Sequence, residues 1–238
     1  MRTLVIGIPL PHVSFDNYSF LSAPAFSEYG RLIVEPASVS NTVEEVISAE
    51  GEHRDFAGHI VHNAPSSSTA FSLQDLLEMR RRESEWFFRR GGVLVCFSHP
   101  DVAHSGVAGS CGWRRYSWLP APPGFRFEEH LLPGFGTHGA ELVEVDHPFA
   151  PYITDFAQRV AYRATIDEDA PHFGDYGRIF ARSLGGAPIA AELKLDTGRI
   201  ILLPPLVDPA KDRTTVAQTL STCLNANAKS NDTPPGSA

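Results

Sequence analysis

The chain of 238 residues carries 20 basic and 28 acidic side chains, a formal net charge of −8, with 42% hydrophobic and 20% charged residues. That balance belongs to a folded globular chain and excludes wholesale disorder, while the negative sign argues against a dedicated nucleic-acid binder, which meets phosphates with positive charge. No apolar run reaches the roughly 18 residues of a membrane-spanning helix, and the length suits one large domain with insertions.

The opening MRTLVIGIPLPHV has one Arg and an apolar run broken by Pro9 and Pro11. It lacks the build of a signal peptide, and Thr3 to Ile8 reads as a buried first strand. Cys96, Cys111 and Cys223 form no CxxC pair, so neither a disulfide framework nor a zinc ribbon is expected. A cytoplasmic location follows by default. Arg31 to Val34 reads as a second strand. Asn41 or Thr42 can cap a short helix, TVEEVISAE, which Gly51 ends. Phe56 to Val61 reads as a third strand. Ser72, with Asp75 three residues on, announces a helix that places Leu73, Leu76, Leu77, Ser84, Phe87 and Phe88 near one face. Gly91-Gly92 stops it and VLVCF follows at once, so residues 55–98 predict two neighbouring strands bridged by a helix.

Residues 99–140 are rich in Gly, Pro, His and aromatics and read as an insertion or lid, with a strand near 125–131. Trp113, Tyr116, Trp118, Phe125 and Phe127 can give it a small core of its own. Short apolar runs follow at 141–145, 160–166, 177–183, 188–195 and 199–203. The last two flank Asp196-Thr197-Gly198, a hairpin turn with Gly where a positive φ is wanted. Thr214 to Leu224 predicts a terminal helix, and residues 225–238 a disordered tail. The domain is therefore expected to span 1–224.

The segment LLEMRRRESEWFFRRGGVLVCFSHP, and later AELKLDTGRIILLPP, resemble the glutamine-amidotransferase-like, ThuA-like group of flavodoxin-like domains. The resemblance covers residues 71–98 and 188–205. It implies an α/β three-layer fold, flavodoxin-like or class I amidotransferase-like, with a mostly parallel sheet and an antiparallel C-terminal hairpin. The chain departs from the family at the nucleophile. The family elbow reads G-x-C-x-G, whereas Cys96 lies inside VLVCF without flanking glycines, and no downstream His-x-Glu pair follows. Cys96 reads as a small buried hydrophobe.

Chemistry-bearing residues collect after predicted strands. Ser98, His99, Asp101 and His104 lie just past VLVCF, at the strand end where open α/β sheets bind ligands. His99 and Asp101 have the chemistry of an acid–base pair, and equally of loop-structuring hydrogen bonds. Cys111, among small residues in GSCGW, is the other candidate nucleophile. His12 and His62 also follow predicted strands, and with Asn63 and His99 they can line one crevice. Gly134, Gly136 and Gly139 spell a dinucleotide fingerprint but lead into a strand-like run instead of a helix, so no nucleotide site is read there. The expected function is a non-catalytic sensor or interaction module. It would bind a small molecule or a protein partner through His12, His62, Asn63, Ser98, His99 and His104, without metal, cofactor, nucleic acid or membrane. The alternative is a hydrolase acting on an acyl or glycosyl-type substrate through Cys111 or the Ser98, His99, Asp101 cluster.

Overall fold

A computed structural model describes residues 2–48, 51–54, 57–58, 60–62, 66–101, 114–122, 127–129, 139–162, 164–208, 210 and 212–231. The first strand, β1 (Thr3–Ile6), is buried at all four positions, as a continuous apolar run requires when both sheet faces are covered. Then come β2 (Phe15–Tyr18), a 3-10 turn (Phe26–Glu28), β3 (Arg31–Val34), α1 (Ala37–Ser48), β4 (Glu52–Arg54), β5 (Ile60–His62), α2 (Ser67–Arg89) and β6 (Val93–Phe97). The second half holds β7 (Phe127–Glu129), β8 (Ala140–Leu142), α3 (Ala150–Phe156), β9 (Ala164–Ile166), α4 (Phe173–Tyr176), β10 (Gly177–Ser183), β11 (Pro188–Leu195), β12 (Gly198–Leu203) and α5 (Arg213–Asn231).

The main sheet has the order β2-β1-β3-β6-β12-β11-β10-β8. The first five strands are parallel and the last three antiparallel. Counted along the chain, the parallel strands lie 2-1-3-4-5, an order whose switch point falls between β1 and β3. Alternate side chains feed two cores. Leu4, Ile6, Leu32, Leu94 and Leu202 meet Leu73, Leu77, Phe87 and Phe88 of α2. Val5, Ile33, Val95 and Ile201 meet Tyr152 and Phe156 of α3 and Val216 and Leu220 of α5. The fold is thus the expected α/β arrangement, with helices on both faces of a mixed sheet and the antiparallel strands towards the C-terminus.

Several local expectations are corrected. The partner of β6 on this side is β3, in the register Arg31↔Val93 to Val34↔Cys96. The run around Phe56–Val61 yields only β5, paired with β4 in a separate antiparallel pair. An interior parallel strand needs a continuous apolar run on both faces; RLIV supplies one and IVH does not. Helix α2 begins earlier than Ser72, because Ser66 Oγ accepts the Thr69 N–H at 3.2 Å and caps the chain there. At the hairpin, Asp196 takes the positive φ of 53°. Gly198 is required for a different reason: a Cβ there would stand 2.7 Å from Gly92 O and 2.8 Å from Phe88 Cα. Trp118 is fully buried in the main core, edge-on to Phe20 and Phe26, and Tyr116 packs against the same core, so these two do not build a core of their own; Trp113, Phe125 and the Phe127 side chain lie outside the described residues. Residues 225–231 of the expected tail are the last turns of α5.

Candidate functional site

The carboxyl edge of the parallel strands is where the switch point opens. Gly7 leaves β1 with φ +82°, and a Cβ there would stand 2.2 Å from Ser38 Oγ and 2.9 Å from Glu35 O. Only a residue without a side chain lets the β1 end lie this close to the start of α1. Glu35 leaves β3, its N–H donating to Ile6 O at 2.9 Å. Its Oε1 accepts the Ala37 N–H at 3.1 Å, and Ser38 Oγ donates to its carbonyl at 2.7 Å. The Glu35 side chain is thereby aimed along the sheet edge.

Across that edge, Ser98 and His99 leave β6. The Ser98 N–H donates to Leu203 O at 2.8 Å, which stitches the turn to β12. His99 Nε2 stands 2.7 Å from Glu35 Oε1, with both side chains only partly exposed. Ser98 is buried, and its Oγ meets no hydrogen-bond partner among the described residues. The loop is held from above by residues 114–118. Tyr116 OH accepts the His99 N–H at 2.9 Å and donates to the His99 carbonyl at 2.9 Å. Burial pushes the Tyr116 phenol well above its ordinary range, with the Glu35 carboxylate adding to the shift, so it stays a neutral donor. Arg115 donates to Pro100 O at 2.6 Å and to Ser40 Oγ at 3.2 Å. Arg114 donates to Asp101 Oδ2 at 2.7 Å and to the Asp101 carbonyl.

Of the residues expected from sequence, Ser98, His99 and Asp101 share one edge. The partner of His99 is Glu35, while the Asp101 carboxylate binds Arg114. His12 lies at the opposite edge. Because β2 runs parallel to β1, the chain must return to the amino edge before entering it, and His12 lies on that return. There its Nδ1 bonds Ser14 Oγ at 2.8 Å and accepts the Ser14 N–H at 3.2 Å, with the ring against Phe15. His62 ends β5; its side chain, together with Asn63, His104 and Cys111, lies outside the described residues. Cys96 is fully buried and burial holds its thiol well above the usual range, which removes it as a nucleophile. Among the described residues no three His, Cys, Asp or Glu side chains gather as a metal site, and no helix is long and apolar enough to cross a membrane.

Sequence reasoning passes over Glu35. The available signal is an acid directly after RLIV, the place that Ser98 occupies one residue beyond VLVCF. It also passes over a second polar cluster, on the antiparallel half. Glu192 is buried within β11; it takes Arg199 at 2.9 Å and His147 Nε2 at 3.2 Å. The Phe149 N–H donates to His147 Nδ1 at 3.2 Å, which leaves the proton on Nε2 to donate to Glu192. The His147 ring stacks on Phe180 at 3.8 Å. Burial alone would raise the Glu192 carboxyl, but His147, Arg199 and Arg178 outweigh it and hold it below the usual carboxylate range.

No family model matches the chain, and no curated protein matches it. Solved structures of similar shape include a protein of Thermoplasma acidophilum provisionally named as one of the subunits of GMP synthase, at 10% identity over 98% of each chain with a TM-score of 0.45. A cytoplasmic protein of Salmonella typhimurium aligns over 94% of this chain and 98% of its own, at 10% identity and a TM-score of 0.45.

Proposed function

We propose that the chain is an amidotransferase-like, flavodoxin-like module without the family's cysteine chemistry, acting in the cytoplasm as a sensor or interaction module. It binds a small polar molecule at the carboxyl-edge crevice between β3 and β6. The observation that carries this reading is the 2.7 Å approach of Glu35 Oε1 to His99 Nε2 across two strand ends, on the carboxyl edge of the parallel strands and one strand over from the switch point between β1 and β3. The pair presents a carboxylate and an imidazole side by side, and Ser98 adds a buried hydroxyl without a partner among the described residues. Such a set suits a ligand bearing hydroxyl groups, which donate to the carboxylate and accept from the serine hydroxyl, or amino groups, which donate to both oxygens.

Native mass spectrometry of protein isolated from its own cells tests the reading. The wild type carries a small-molecule adduct that His99→Ala and Glu35→Gln lose, while their melting temperatures stay within about 3 °C of wild type. Adducts shared equally by all three proteins, or found on none, would sink it.

A second reading as a hydrolase of acyl or glycosyl-type substrates draws on the same residues. A carboxylate close to an imidazole is one element of the arrangement that orients a catalytic histidine, and it is Glu35, not Asp101, that stands within 2.7 Å of His99 Nε2. A fluorophosphonate and a chloroacetamide probe, read by peptide mass spectrometry, separate the two. Labelling of Ser98 or Cys111 in the native protein at rates far above those of a denatured control supports the hydrolase; background labelling supports the binding module.

A further inference from the structure

Helix α2 is amphipathic towards the sheet, but its far side carries large apolar side chains in water. Phe71 is 67% exposed, Met79 44% and Trp86 61%. Phe71, Asp75, Met79, Arg82 and Trp86 recur at intervals of four, four, three and four residues, so they form one stripe along the face opposite the buried Leu73, Leu77 and Phe87. Three large apolar side chains alternating with one acid and one base along a single exposed helix face suit a contact face.

The order of residues in the stripe indicates what covers it. Phe71 and Trp86 are equidistant from the Glu78–Met79 peptide, and so are Asp75 and Arg82. A second α2, laid antiparallel across the first about a two-fold axis at that peptide, meets the stripe with its own complement. Phe71 faces Trp86 of the other copy, Asp75 faces its Arg82, and the two Met79 side chains meet near the axis. Each match occurs twice, which is the signature of an isologous contact. No parallel arrangement achieves this, since it would set Asp75 on Asp75 and Arg82 on Arg82. Among the described residues of one chain Arg82 reaches only Glu78, at 3.3 Å and largely exposed, a pair of small worth. That leaves its guanidinium able to bridge its own Glu78 and the Asp75 opposite. A groove of about 530 Å³ runs along the stripe itself, lined by Asp75, Met79, Arg82 and Trp86 together with Ser27 and Glu83, and gives room for the incoming aromatic ring.

We propose that this chain self-associates as a two-fold dimer through antiparallel α2 helices, with Trp86 against Phe71 and Asp75 against Arg82 across the axis. From Phe71 to Trp86 the stripe is about 22 Å long at 1.5 Å per residue, a contact of the small, reversible class. Dimerisation is therefore expected in the micromolar range.

Sedimentation equilibrium of the full chain from about 1 µM to 1 mM tests it. The wild type shows a monomer–dimer equilibrium. Asp75→Arg and Arg82→Asp each weaken it at least tenfold, because each sets like charges together twice across the axis. The double variant carrying both changes restores association to within about threefold of wild type, since the pair is merely exchanged. Trp86→Ala weakens it at least tenfold. All three positions are exposed, so melting temperatures remain near wild type and loss of folding cannot imitate the result. A monomer throughout the range, a dimer indifferent to the single charge reversals, or a double variant as weak as the singles would each overturn the proposal.

Discussion

Glu35 Oε1 stands 2.7 Å from His99 Nε2, and the same oxygen accepts the Ala37 N–H at 3.1 Å. That oxygen therefore caps the first turn of α1 while standing in close charge contact with the imidazole, whose Nε2 makes no aligned hydrogen bond among the described residues. The two duties separate by substitution. Glu35→Gln keeps an acceptor for Ala37 and should cost under about 0.5 kcal/mol, whereas Glu35→Ala orphans that N–H and should cost about 1–2 kcal/mol. Urea denaturation of both variants checks this; equal losses would mean that Glu35 does not cap α1.

Gly7→Ala is expected to be among the most damaging single-methyl additions in the protein. The residue holds φ +82° and its new Cβ would stand 2.2 Å from Ser38 Oγ. Backbone strain and the clash together should cost about 3 kcal/mol or more. Pairing it with Ser38→Gly removes the clash with the Ser38 side chain but leaves the strain and the 2.9 Å approach to Glu35 O, so denaturation of the double variant should recover only part of the loss.

Tyr116→Phe removes one hydroxyl that satisfies both the N–H and the carbonyl of His99. With these backbone groups partly buried, the expected cost is about 2 kcal/mol. Amide exchange at His99 should accelerate at least tenfold while exchange in β12 is unchanged. Unchanged exchange at His99 would show that the loop stays in place without the hydroxyl.

Glu192 contributes to the acid limb of the stability curve. Its carboxyl is held below the usual value by His147, Arg199 and Arg178 against the opposing effect of burial. The folded chain thus binds this proton less readily than the unfolded chain. The associated stability is complete above the unfolded carboxylate pKa of about 4.3 and is lost as pH falls below it towards the depressed folded value. Glu192→Gln should flatten the dependence in that window and lower stability at pH 7 by about 3 kcal/mol, since Arg199 loses its buried counter-charge. A pH series of denaturation curves with unchanged slope below pH 4.3 would contradict this.

Much of the architecture was legible where a physical signal was both strong and local. The hairpin of β11 and β12, the strand VLVCF and the buried face of α2 follow directly from apolar runs and 3.6-residue spacing. Pairing was harder to read. Nothing in Ile60–His62 itself says that β6 chooses β3, because that choice depends on which run is apolar on both faces over its whole length. The site was half legible for the same reason. Ser98 and His99 follow an evident strand, but Glu35 joins them only once β3 lies beside β6. His12 falls at the other edge because a parallel β2 cannot be told from a hairpin in the sequence.

The placement of β12 shapes how this protein must be made. It fills the slot between β6 and β11, yet it is the last strand to be synthesised. As the chain leaves the ribosome, β6 waits with one hydrogen-bonding edge bare for about a hundred residues of translation. Native pairing there closes a long loop and is intrinsically slow. Fragments ending before Gly198 should therefore be chaperone clients or aggregate, and recovery of soluble chain should begin only once Leu203 has emerged.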